Sequence, residues 1–265
     1  MTSANDLSQT GKWQQRFSIA GKRVLVTGAT KGIGAEIVRV FLDAGAHIAA
    51  VGREHGSVSE LTAAAKAAKT DFMPIEADLA TVEGAVGAAE KALAYFGGID
   101  VLVNSAGVAL IDPILKASLA DWDTTMNVNL RAPFLLARAV APGMIERRAG
   151  KIINISSQTG VVALEDHAAY ASSKAALNTL TKSMTVEWAR YNIQVNAICP
   201  TVIMTPMGVK VWSAPEKRDP MLAKIPAGRF GEAVEVADCA LYLASPASDL
   251  INGAIIMMEG GYTSL

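Results

Sequence analysis

Only two cysteines occur in the 265 residues, Cys199 and Cys239, and they stand far apart. Thiols so spaced make neither a disulfide framework nor a zinc site. They are expected as buried free thiols in a reducing compartment, and no metal ligands are assigned. Long apolar stretches able to span a bilayer are missing. The first twenty residues are polar and mixed in charge, without the apolar run of a signal peptide. A cytoplasmic location is therefore expected. Charge of one sign is missing too: 24 Lys and Arg stand against 25 Asp and Glu, a formal −1. That balance excludes the basic stripe of a nucleic-acid binder and the polybasic run of a membrane-surface protein. There is no internal repeat, low-complexity tract or Pro/Gly linker to split the chain. With 51% apolar residues, one large domain can bury a substantial core.

What is present is an alternation. Apolar runs lie at Val24 to Val26, Ile48 to Val51, Val101 to Val103, Ile152 to Ile155, Val195 to Ile198 and Ile255 to Met258, with a weaker one at Phe72 to Ile75. Their polarity does not alternate cleanly, as expected of parallel strands buried on both faces. Ala35 to Ala44, Val58 to Lys69, Val82 to Tyr95 and Ala168 to Tyr191 have helical character, and the last sets Leu177, Leu180, Met184 and Trp188 on one stripe. The pattern predicts an α/β chain: a single-domain, Rossmann-type, doubly wound parallel sheet with helices on both faces, over residues 18–265. Residues 1–17 are expected as a polar arm. The segment 201–229 carries Pro206, Pro215, Pro220 and Pro226. It is expected as a mobile excursion outside the sheet, either a lid over a ligand or an irregular connection.

Between the first strand and the first helix lies Gly28-Ala29-Thr30-Lys31-Gly32-Ile33-Gly34. Glycine accepts unusual backbone angles and lets the main chain approach a ligand closely. The helix that follows offers free N–H groups and a positive dipole end, which suits a pyrophosphate. The spacing is G-x-x-x-G-x-G, one residue longer in the turn than the common fingerprint G-x-G-x-x-G.

That spacing, led by Thr27, resembles the nucleotide motif of the short-chain dehydrogenase/reductase superfamily. Further matches follow in order: Asn104-Ser105-Ala106-Gly107 is similar to its N-x-A-G segment, and Tyr170-Ala171-Ser172-Ser173-Lys174 to its Y-x-x-x-K pair, preceded by Ser157. Pro200 to Thr205 resembles its nicotinamide-contacting segment, with Thr201 in place of glycine. The resemblance implies cofactor contacts at Gly28, Thr30, Lys31, Gly32, Ile33, Gly34, Arg53, Asp78, Leu79, Asn104, Ala106, Gly107, Tyr170, Lys174, Pro200, Ile203 and Thr205. Asp78 is equally readable as a helix cap.

At the end of the second strand an acid would bond the ribose hydroxyls and repel a 2′-phosphate. Gly52 holds that position and Arg53 follows it, with Lys31 in the neighbouring turn. A guanidinium fork suits a phosphate, so NADP(H) is expected, with NAD(H) also usable; solvated surface charges are the alternative.

The resemblance also implies a catalytic set of Ser157, Tyr170, Lys174 and Asn129, with Ser156 and Asn127 as rivals for two of the places. Four apart on a helix, Tyr170 and Lys174 share a face. A phenol titrates near pH 10 and a nearby ammonium favours its anion, so Lys174 and an oxidised nicotinamide are expected to lower Tyr170 by the equivalent of about 4 kcal/mol. Asn129 is expected to hold a water that links Lys174 to solvent.

Within the superfamily the chain is most similar to the L-xylulose (dicarbonyl) reductases. The likeness lies in Gly21 to Gly28, Ser156-Ser157-Gln158, and Pro200 to Gly208 with Trp212-Ser213-x-Pro215. It implies a small carbonyl/alcohol substrate, a ketose/polyol pair or a dicarbonyl. Gln158 and His167 can bond its hydroxyls, and Trp212 either closes over it or packs into the core. A homotetramer is implied as well, with no nucleic acid or membrane partner. A 3-ketoacyl-carrier-protein reductase, with Arg147, Arg148 and Arg190 at the mouth, is the rival enzyme. An inactive dinucleotide-binding regulator is the rival of another class.

Overall fold

Side chains on a strand point alternately to its two sides, and here both sides are buried. In strand β1 (Arg23–Thr27), Val24 and Val26 enter one core while Leu25 enters the other. The same division holds for β2 (His47–Gly52), β4 (Val101–Asn104) and β5 (Gly150–Ile155). This is why the apolar runs show no alternation of polarity. With β3 (Phe72–Glu76), β6 (Ile193–Pro200) and β7 (Ile255–Met258) they make one parallel sheet of seven strands in the order β3-β2-β1-β4-β5-β6-β7. The expected doubly wound architecture is the one observed.

The computed structural model describes residues 13–54 and 58–264. Most of the expected arm, residues 1–12, lies outside the described residues. Helix α1 (Trp13–Arg16) precedes Phe17, whose ring meets Tyr242 at 5.9 Å.

One core face is covered by α2 (Gly32–Asp43), α3 (Val58–Ala68) and α10 (Ala233–Ala244). The other is covered by α4 (Val82–Phe96) and α6 (Ala132–Arg147). Ala85, Ala88, Ala89 and Ala92 are all buried, so α4 seats on the sheet through small side chains. Thr81 caps its first turn and Gly97, at φ 69°, ends it in the left-handed region. Helix α5 (Leu119–Met126) runs through a π-helical stretch, Asn127–Arg131, into α6. In α7 (Ala168–Trp188), Leu177 and Met184 are buried while Leu180 and Trp188 pack half-buried on the core.

The segment 201–229 lies outside the seven-stranded sheet and carries α8 (Pro206–Trp212) and α9 (Pro215–Leu222), with Ile203 bridging Gly231. Pro206 and Pro215 stand in first turns, where the missing N–H has no helical partner to lose. Cys199 is buried as expected, but Cys239 is half-buried; both are free, and burial raises both thiols. Among the described residues no helix is long and apolar enough to cross a membrane.

Candidate active site

The strand order reverses direction between β1 and β4, where ligands bind in open α/β sheets. A cavity of about 340 Å³ opens there at the carboxyl ends of the strands. Thr27 joins its two walls: its Oγ1 accepts the N–H groups of Ser105 and Ala106 at 3.1 Å each. The glycine turn forms the floor. Gly28 has φ 64°, and a Cβ on it would lie 2.8 Å from the Ala106 Cα. Gly34 is required by contact instead, since its Cβ would fall 2.2 Å from the Gly28 carbonyl oxygen. Gly34→Ala is accordingly expected to open the turn and weaken dinucleotide binding by at least about tenfold, the scale of overpacking a tight contact. Fluorescence titration with NADP⁺ checks this, and affinity within twofold of the parent would contradict it.

Lys31, Arg53 and Asp78 stand on the rim, with Thr30, Gly32, Ile33, Leu79, Ala106, Gly107 and Thr205 also lining the cavity. Its volume, glycine floor and helix N-terminus fit a nicotinamide dinucleotide. The inner end reaches α7. A Cβ on Gly107 would lie 3.5 Å from both Lys174 Nζ and Asn129 Oδ1. Lys174 is buried, donates to the Ile155 carbonyl at 2.8 Å, and holds Nζ 5.7 Å from the Tyr170 ring centroid. Ser157 caps the short turn Gln158–Gly160, and its hydroxyl also hydrogen-bonds Tyr170.

A family model described as enoyl-(acyl carrier protein) reductase matches residues 28–263. The D-threitol dehydrogenase of Mycolicibacterium smegmatis is 40% identical over 263 residues, 99% of each chain. The L-xylulose reductase of Bos taurus is 43% identical over 245 residues, 92% of this chain and 97% of its own. The chain belongs to the short-chain dehydrogenase/reductase superfamily. A gluconate 5-dehydrogenase from Burkholderia cenocepacia J2315, solved with NADP and tartrate, has a TM-score of 0.89 at 36% identity, with 95% of this chain and 98% of that one covered. As a dehydrogenase/reductase of this superfamily the protein is a nicotinamide-dependent oxidoreductase acting on CH–OH groups.

Several residues of this dehydrogenase sit otherwise than the sequence suggests. Burial holds the Tyr170 phenol above its ordinary value, against the Ser157 hydrogen bond. Burial also pushes Lys174 down, to about 8. Asn129 spends its amide on protein partners: it accepts from Val108 N–H at 2.9 Å and donates to Val108 C=O at 2.9 Å and Ser173 Oγ at 3.0 Å. It clamps the loop after β4 to α7. The π-helical stretch supplies the register, with the Ala132 N–H bonding the Asn127 carbonyl five residues back. Trp212 does not cover the cavity; it packs on Phe230 at 6.1 Å within a small cluster around Met221 and Ile225.

The remaining residues fall as follows. Asn104 donates to Asn154 Oδ1 at 2.8 Å, and Pro200 and Ile203 are buried. Asp78 is no helix cap, since its carboxylate takes the Ala80 N–H while Thr81 caps α4. His167 Nδ1 lies 2.5 Å from the Glu165 carbonyl. If Nδ1 carries the proton, Nε2 is an acceptor. Gln158 is buried, and its Oε1 has no partner. Sequence reasoning missed Glu54, which pairs with Lys31 on the cavity rim.

Proposed function

We propose that this protein interconverts a small polyol and its ketose, or a related dicarbonyl, with NADP(H) preferred and NAD(H) accepted. The observation that carries the reading is the meeting of Lys174 Nζ and Asn129 Oδ1 at Gly107, the inner end of the dinucleotide cavity. A bound nicotinamide supplies the hydride donor or acceptor and, when oxidised, a positive charge near the phenol. Tyr170 transfers the proton to or from the substrate oxygen, Ser157 hydrogen-bonds that oxygen, and Lys174 favours the phenolate. Asn129 fixes the loop that carries Gly107. Gln158 Oε1, a buried acceptor with no partner, suits a substrate hydroxyl, and so does His167 Nε2. The polyol and sugar-acid relatives support this class.

A carrier-protein ketoacyl substrate is disfavoured by geometry. Arg147 bonds Ile99 C=O and Arg148 bonds Arg190 C=O, both just before strand starts. That basic group therefore lies at the amino ends of the strands, away from the cavity mouth. A homotetramer is the proposed assembly, supported by exposed apolar Ile114, Leu115 and Leu119.

A panel of four- and five-carbon ketoses and polyols, run with both cofactors, tests the proposal. Turnover with NADP(H) favoured is expected. Arg53→Ala should lower kcat/KM for NADP(H) by about tenfold, the scale of a lost charged hydrogen bond, with little change for NAD(H). Activity confined to long-chain or steroid ketones would defeat the substrate class, and a parent preference for NAD(H) would defeat the cofactor assignment.

A further inference from the structure

We propose that Glu54 sets the degree of NADP preference, by holding Lys31 in an ion pair that a 2′-phosphate has to break. The idea rests on the dinucleotide reading of the cavity and adds a selectivity element to it.

Among the described residues, four charged side chains line the cavity: Lys31, Arg53, Glu54 and Asp78. Two are cationic and two anionic, so the rim is formally neutral, not the strongly positive seat that the Lys31 and Arg53 positions alone suggest. The anions differ in what they do. Asp78 turns its Oδ1 onto its own loop, at 3.0 Å from the Ala80 N–H. Glu54 reaches across to the glycine turn, with Oε2 2.6 Å from Lys31 Nζ. Both partners of that pair are about two-thirds exposed, at 64% and 68% of their side-chain surface. Arg53 enters no ion pair among the described residues and is available to an anion.

Gly52 explains why selectivity falls to these outer groups. A Cβ there would lie 2.6 Å from the Thr30 Cγ2. An acid at the end of β2, the usual discriminator against a 2′-phosphate, does not fit without displacing Thr30. A dinucleotide with free ribose hydroxyls leaves the Lys31–Glu54 pair intact. A 2′-phosphate reaches Arg53 directly but competes with Glu54 for Lys31, and it also faces the Glu54 charge. An exposed ion pair is a weak competitor, on the scale of a few-fold in affinity, so the pair moderates NADP preference without abolishing it.

Calorimetric titration with 2′,5′-ADP and 5′-AMP, at low salt to limit screening, isolates the phosphate contribution from turnover. The proteins compared are the parent, Glu54→Gln, Lys31→Met and the double variant. Glu54→Gln is expected to bind 2′,5′-ADP about three- to fivefold more tightly, with 5′-AMP changed by less than about twofold. In the Lys31→Met background the gain from Glu54→Gln should fall by at least about half. No gain for 2′,5′-ADP, an equal gain for both probes, or an undiminished gain without Lys31 would each overturn the proposal while leaving the dinucleotide reading intact. A parent that binds neither probe would overturn that reading and this inference with it.

Discussion

Tyr170→Phe should lower kcat by about 10²–10⁴-fold, the range for losing a positioned general acid or base, and leave the fold and cofactor affinity unchanged. The phenyl ring keeps every apolar contact of the native side chain, including the edge-on packing of His167 at 6.2 Å. What disappears is the hydroxyl and its hydrogen bond to Ser157. The variant is thus a clean removal of the proton-transfer group. The pH dependence of the parent has a defined sign. Burial raises the phenol, so it is protonated throughout the neutral range and ready to donate during carbonyl reduction. Alcohol oxidation needs the phenolate, so its kcat/KM should climb with pH across the alkaline side while reduction does not. Steady-state rates in both directions, with NADP⁺ titrated by fluorescence, check these points. A Phe variant retaining a tenth of parent kcat, or oxidation that falls with rising pH, would remove Tyr170 from the role.

The sequence exposes what local rules dictate and hides what distant contacts decide. The strands are visible because a sheet covered on both faces needs apolar residues in succession, as Val24-Leu25-Val26 shows by feeding two separate cores. The glycine turn is visible because its residues are close in sequence, with Gly34 fixed by its contact with the Gly28 carbonyl. The bonds of Asn129 reach Val108 and Ser173, 21 and 44 residues away, and no local pattern announces them. Nor does any pattern mark Glu54, whose partner Lys31 lies 23 positions earlier. Helices α8 and α9 illustrate a signal with two meanings. Proline breaks a helix interior but is well suited to a first turn, and Pro206 and Pro215 take the second part. Trp212 carried the two possibilities of lid and core, and the choice depended on Phe230, an aromatic beyond α8 and α9.

Lys174→Met should remove most activity and yet make the protein more stable at neutral pH. Lys174 is 4% exposed, with the Ile155 carbonyl as its hydrogen-bonded partner at 2.8 Å. Burial disfavours the ammonium and brings it from 10.5 to about 8. The folded state therefore releases this proton more readily than the unfolded chain does. The resulting cost is fully present below pH 8 and is relieved as pH rises from 8 toward 10.5, where only the unfolded chain still holds the proton. At neutral pH the gap corresponds to roughly 3 kcal/mol. Methionine removes that cost but strands the Ile155 carbonyl, which takes back about 1–3 kcal/mol. A net gain of about 0–2 kcal/mol at pH 7 follows, at about 2–4 °C in Tm per kcal/mol for a chain of this size. Urea unfolding at pH 7 and pH 9.5 should show the advantage shrinking at the higher pH. The same variant loses the cation that stands 5.7 Å from the Tyr170 ring, so kcat should fall by at least about a hundredfold. A Met variant less stable than the parent at pH 7, or an advantage that widens with pH, would show that Lys174 is not carried at a stability cost. Because the buried ammonium destabilises the fold it sits in, packing alone gives no reason to keep a lysine there; its neighbour Tyr170 does.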